Sequence, residues 1–144
     1  EYRQYPCLHA DISRADWRQL DFIAGIQNEP MKDLVKNLQF DKAVINLATP
    51  SSIQFPHTHG SSTVITYYIN PDWKKEYYGE TIFYDDSMTH CIGTSLYHTN
   101  SAVIFDGKIP HSIRPASHIA PSYRFSLSVF FRQKNFIEEA KNSS

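Results

Sequence analysis

The chain has 144 residues, of which 41% are hydrophobic and 20% charged, so it can build one hydrophobic core but not two, and its composition is that of a globular protein. A formal charge of −1 gives no electrostatic reason to bind nucleic acid or an anionic membrane. No apolar run approaches the ~20 residues of a membrane-spanning helix.

Elements are expected in this order. Ser13 caps a helix over 15–27, with Trp17, Leu20, Ile23 and Gln27 roughly on one face. Pro30 sits in the first turn of a second helix ending at Leu38, with Met31, Leu34, Val35 and Leu38 at steps of three and four. The period then changes to that of strands: 42–48, then the β-branched and aromatic run 63–70, ended by Asn70-Pro71-Asp72. Further strands are expected over 79–84, 94–97, 101–105, 109–113 and 123–131, and a short closing helix over 135–141. Helices followed by about seven short strands predict a mainly β protein with N-terminal helices, an antiparallel sandwich or barrel backed by helices on one side. We expect a single domain over 1–144, with helical support at 1–41, a β core at 42–132 and a C-terminal tail at 133–144.

Cys7 and Cys91 are too few for a disulfide framework and match no metal-binding pair, so both read as free thiols. With no signal-like start, this sets the expectation of a reducing, cytoplasmic setting. The Asn142-Ser143-Ser144 sequon reads as a chance match, and no feature fixes an oligomeric state.

His57 and His59 are separated by one residue, and in a strand such residues face the same way, so two imidazoles converge on one point. Imidazole suits iron, zinc, copper and nickel. The pair alone equally suits an exposed polar strand start, and His111 alone equally suits a half-buried, hydrogen-bonded histidine. In the last strand Arg124, Ser126, Ser128 and Phe130 alternate with Phe125, Leu127, Val129 and Phe131, which puts Arg124 and Ser126 on one face. An inward arginine needs an anionic partner, either a structural carboxylate or the carboxylate of a bound ligand. Arg114 falls on the opposite strand face from His111. His9, His90, His98 and His118 match no motif, His118 being expected in an exposed loop. Trp73 is expected to close the turn after Asn70-Pro71, with Tyr77 and Tyr78 near an opening. Asp85 and Asp86 fall in a turn.

Five stretches in order carry a resemblance: His57-Thr58-His59-Gly60, residues 64–73, residues 78–85, residues 104–115, and Tyr123-Arg124-Phe125-Ser126-Leu127. Over about residues 40–132 the chain resembles the iron(II)- and 2-oxoglutarate-dependent oxygenases, particularly their prolyl-4-hydroxylase-like branch. The resemblance implies a double-stranded β-helix, a cupin-like jelly-roll barrel open at one end. It implies Fe(II), 2-oxoglutarate and O2 as cofactor and co-substrates, and hydroxylation of an unactivated C–H bond. His57 would be the first metal ligand and His111 the distal one. Arg124, with Ser126 and Tyr68, would bind the far carboxylate of the co-substrate. The substrate would be a prolyl residue in a peptide or protein, or a small amino-acid-like molecule.

The chain departs from the family at His59, where the usual residue is Asp. A third neutral imidazole leaves the metal more positive. Two alternatives therefore stand beside the hydroxylase: a catalytically silent cupin-like binding domain, and a three-histidine dioxygenase that does not use 2-oxoglutarate.

Overall fold

The computed structural model describes residues 8–50 and 52–133. The expected closing helix, Cys7 and the sequon lie outside the described residues.

A first strand, β1 (Leu8–Ile12), is followed by α1 (Arg14–Leu20). The Ser13 hydroxyl accepts from the Asp16 amide at 3.1 Å and donates to the Asp16 carboxylate at 2.6 Å, which closes the first turn. The helix stops at Leu20, well short of the expected Gln27, because Asp21 turns into the left-handed region at φ 46°. Phe22, Ile23 and Ile26 still reach the core, from a turn rather than a helix. In α2 (Glu29–Lys36) the Asn28 side chain accepts from the Met31 amide at 2.9 Å, and Pro30 sits in the first turn.

Seven more strands follow. They are β2 (Leu38–Ala48), β3 (Thr63–Tyr68), β4 (Thr81–Tyr84), β5 (Cys91–Ser95), β6 (Ala102–Asp106), β7 (His111–Ile113) and β8 (Arg124–Gln133). A single turn of 3-10 helix, Lys75–Tyr77, precedes β4. Three strands modify the sequence reading. β5 lies at Cys91–Ser95 rather than 94–97. β2 begins at Leu38, where a helical end was expected, and has a bulge between Phe40 and Lys42. β1 was not anticipated, although Leu8, Ala10 and Ile12 alternate with His9 and Asp11: the run has only five residues and its side chains are mostly exposed.

The strands form two antiparallel sheets. The larger has the order β1-β2-β8-β3-β6, the smaller β5-β4-β7. Isolated bridges add His57 beside His111 on the free side of β7, and join Tyr78 to Ala116. The back of the larger sheet packs on the helices, around Trp17, Val35, Ala43, Ile65, Leu127, Val129 and Phe131. Trp17 stacks on Phe40, with centroids 4.6 Å apart. The front of the larger sheet faces the smaller one, with Val64, Phe105 and Phe130 packed together and Phe83 against them. The alternation along β8 is as expected: Leu127, Val129 and Phe131 turn to the helices, whereas Ser126, Ser128 and Phe130 line the space between the sheets.

Candidate metal centre

The space between the sheets holds a cavity of about 290 Å³, into which His57, His59 and His111 project. Backbone bonds set their positions. The amides and carbonyls of His57 and His111 exchange two hydrogen bonds of 3.0 Å, so these residues stand directly opposite each other. The His59 amide donates to the Gly107 carbonyl at 2.7 Å, and the Gly107 amide donates to the Ser62 carbonyl at 2.7 Å. Gly107 has no side chain for a steric reason: a Cβ there would stand 2.6 Å from the Ser62 oxygen and 3.1 Å from the His59 Cβ.

The three rings lie 4.6 to 4.9 Å apart by centroid, and one ligand nitrogen from each falls within 4.8 Å of the others. Nδ1 of His57 donates to the Phe55 carbonyl and Nδ1 of His111 to the Ile109 carbonyl, both at 2.9 Å. A carbonyl only accepts, so Nδ1 carries the proton in both rings and Nε2 is the basic nitrogen. This is how metal-binding imidazoles are fixed in tautomer and orientation. Phe130 packs edge-on against His59 at 4.9 Å, and Phe105 against His111 at 4.7 Å.

Burial holds His59 well below the usual histidine range, at about 4, helped by the neighbouring His111, His57 and Lys42. His111 is lowered too, by burial first, against the opposing pull of the Ile109 carbonyl. The two therefore stand neutral near pH 7, the state in which an imidazole binds a metal. Three converging imidazoles, two of them fixed in tautomer, fit a divalent transition metal with coordination positions to spare. Among the described residues no carboxylate joins the group. Asp85 organises its own turn instead, accepting from the Thr89 and His90 amides.

The other expected site residues lie towards the far end of β7. Ser126 lines the cavity with Thr81 and Ile113, and Thr81 pairs with Ile113 in register. Along β7 the step from His111 to Ile113 covers about 7 Å. Arg124 and Tyr68 are not in the cavity lining; both are fully buried behind it. The Arg124 Nε donates to the Gly79 carbonyl at 2.8 Å and Nη1 to the Ser126 hydroxyl at 3.0 Å. Its guanidinium lies 5.1 Å from the Tyr97 ring and 5.7 Å from the Tyr68 ring. The Tyr68 hydroxyl is 3.1 Å from the Thr81 hydroxyl and 2.9 Å from that of Ser95. Gly79 permits the arrangement: at φ 89° it runs so close to Arg124 that a Cβ would meet Cδ at 3.1 Å. Trp73 is a packing residue that fixes this segment, its indole N–H donating to the Tyr78 carbonyl at 2.7 Å. Arg114 pairs with Glu80 at 2.9 Å and stacks on Tyr78. His90, His98 and His118 are exposed.

Sequence reasoning missed the opposite wall. His9 and Asp11 on β1, Lys42 and Asn46 on β2, and Gln54 also line the cavity. His9 matched no motif, and without β1 nothing placed it or Asp11 near the histidines.

No family model and no curated protein matches the sequence. Solved structures do match the fold. A Pseudomonas putida prolyl-4-hydroxylase superposes with a TM-score of 0.57 at 18% identity, over 90% of this chain and 72% of its own. A Trichoplax adhaerens prolyl hydroxylase, solved with a hypoxia inducible factor peptide fragment, gives 0.59 at 14% identity, over 94% of this chain and 66% of its own. A cupin domain from Bordetella pertussis gives 0.50 at 10% identity, covering 92% of this chain and 99% of its own. The chain thus spans about two thirds to three quarters of the two hydroxylases and nearly all of the cupin domain. At these identities the likeness is one of fold: the protein is a double-stranded β-helix of the cupin type, with a three-histidine group that can hold a metal.

Proposed function

We propose that the protein is an Fe(II)- and 2-oxoglutarate-dependent oxygenase that hydroxylates an unactivated C–H bond. The observation that carries this reading is a cavity with three converging imidazoles at one end and Ser126 and Thr81, backed by the buried Arg124, at the other. A metal centre alone needs no such second end; a co-substrate that chelates a metal by one terminus and carries a carboxylate at the other does.

His57, His59 and His111 would hold the iron, which when bound supplies the dioxygen chemistry that no side chain can. The remaining work belongs to the protein. Ser126 and Thr81 offer hydroxyl donors to the far carboxylate, and Arg124 supplies the positive charge behind them. Tyr68 holds the Thr81 hydroxyl in place through its own. Three neutral ligands leave the metal's charge uncompensated, so a dianionic co-substrate is favoured next to it. Phe83, Phe105 and Phe130 exclude water from the histidine end.

The histidine in place of the expected carboxylate favours one second reading, a three-histidine dioxygenase without 2-oxoglutarate. An anaerobic titration separates the two. Iron and 2-oxoglutarate should produce a saturable visible charge-transfer band. Arg124→Ala should weaken 2-oxoglutarate by about tenfold or more, the worth of one charge-assisted contact, while iron affinity is kept. Ser126→Ala, a smaller change in the same place, should weaken it in the same direction. Iron binding with no band, or with 2-oxoglutarate affinity untouched in both variants, would overturn the proposal.

A further inference from the structure

The wall opposite the smaller sheet carries charges that the reaction chemistry does not use. Asp11 lies on β1 opposite Val44 of β2, and Lys42 is two residues along β2 on the same face. Both line the cavity, yet among the described residues they form no ion pair with each other, and Asp11 pairs with no other described group. The Lys42 ammonium instead rests 4.9 Å from the centre of the Phe130 ring.

We propose that this wall selects a small zwitterion, a free α-amino acid, with its ammonium group on the Asp11 carboxylate and its carboxylate on Lys42. The ammonium supplies the positive charge that faces Asp11. Lys42 supplies the matching cation. An internal residue of a peptide brings neither charge, only neutral amides. The cavity, about 290 Å³, lies at the lower end of ligand sites, roughly 300–1,000 Å³, and suits a small molecule. This inference rests on the oxygenase reading, since it makes the zwitterion the substrate that faces the metal end.

The test uses the whole protein without oxygen, loaded with Fe(II) and 2-oxoglutarate. The probes are the common free L-amino acids, screened by ligand-observed NMR, with the N-acetyl and α-carboxamide derivatives of each binder. At least one free amino acid should bind saturably, and each derivative should bind about tenfold or more weakly, as expected for loss of a charge-assisted contact. Asp11→Asn should weaken the free amino acid while leaving its N-acetyl derivative unchanged. Lys42→Gln should do the same with respect to the carboxamide. Both side chains are exposed, so neither change threatens the fold. Derivatives that bind as well as the parent, or no free amino acid binding while iron and 2-oxoglutarate bind normally, would overturn the inference. Amino-acid binding that depends on Asp11 with no uptake of iron or 2-oxoglutarate would leave it standing and remove the oxygenase reading instead.

Discussion

Gly107 and His59 show how narrowly single residues set the centre. The strand turn at Gly107 passes so near Ser62 and His59 that Gly107→Ala forces one of them to move. We expect that substitution to cost about 1–3 kcal/mol of stability, as overpacking does, and to weaken metal binding because His59 hangs from the Gly107 carbonyl. Urea unfolding and a metal titration on the same sample check both effects. Unchanged metal affinity would mean that His59 is not held through this contact. The histidines also make a pH prediction. His59 titrates at about 4 in the folded chain against 6.5 in an unfolded one, and His111 is lowered in the same direction. Between these values the unfolded chain binds protons that the folded chain refuses. The metal-free protein should therefore have its full stability above pH 6.5 and lose it as the pH falls towards 4. Chemical denaturation across that window should show the loss, with a shallower slope in His59→Gln; a flat profile in the wild type would contradict the assignment.

At the scale of elements, β8 works on both of its faces. Its helix-side residues close the main core, and its cavity-side residues carry Arg124, Ser126 and Ser128. Phe131→Ala should cost about 3–5 kcal/mol by urea denaturation, as for a large buried aromatic, while Ser128→Ala, which gives up one bond to Asn46, should cost only about 1 kcal/mol. Similar losses in both would mean that the strand's two faces are not divided in this way. This division was readable in the sequence because a period of two with large apolar residues on one face has few other solutions. The end of α1 was not readable. Trp17, Leu20 and Ile23 keep a helical spacing, but Asp21 breaks the helix by a backbone conformation that periodicity does not register. β1 was passed over for a different reason: its alternation from Leu8 to Ile12 spans only five residues, and this mostly exposed strand is held by its ladder to β2 rather than by burial.

The described residues form a two-sheet sandwich with the main core on the helix side of the larger sheet and the candidate site, with smaller apolar clusters, on the other. Residues distant in sequence meet there: His57 and His59 from the segment before β3, His111 from β7, Ser126 from β8. Their convergence was legible through the resemblance that the five stretches carry together; spacing alone paired only His57 with His59. The placement of Arg124 was legible only in part, since its face followed from alternation but its position behind Ser126 depends on Gly79 and Trp73. The wall of His9, Asp11 and Lys42 was not legible, because it exists only once β1 is laid beside β2.

The central claim is that the three histidines act together as a metal centre. The most direct test is the metal stoichiometry and affinity of the wild type beside His57→Ala, His59→Ala and His111→Ala. One metal per chain is expected, with each variant weaker by more than ~100-fold, beyond the ~10–100-fold lost when only a supporting partner of a ligand is removed. Affinity unchanged in His59→Ala would contradict the three-histidine centre, and no stoichiometric metal in the wild type would contradict the account as a whole.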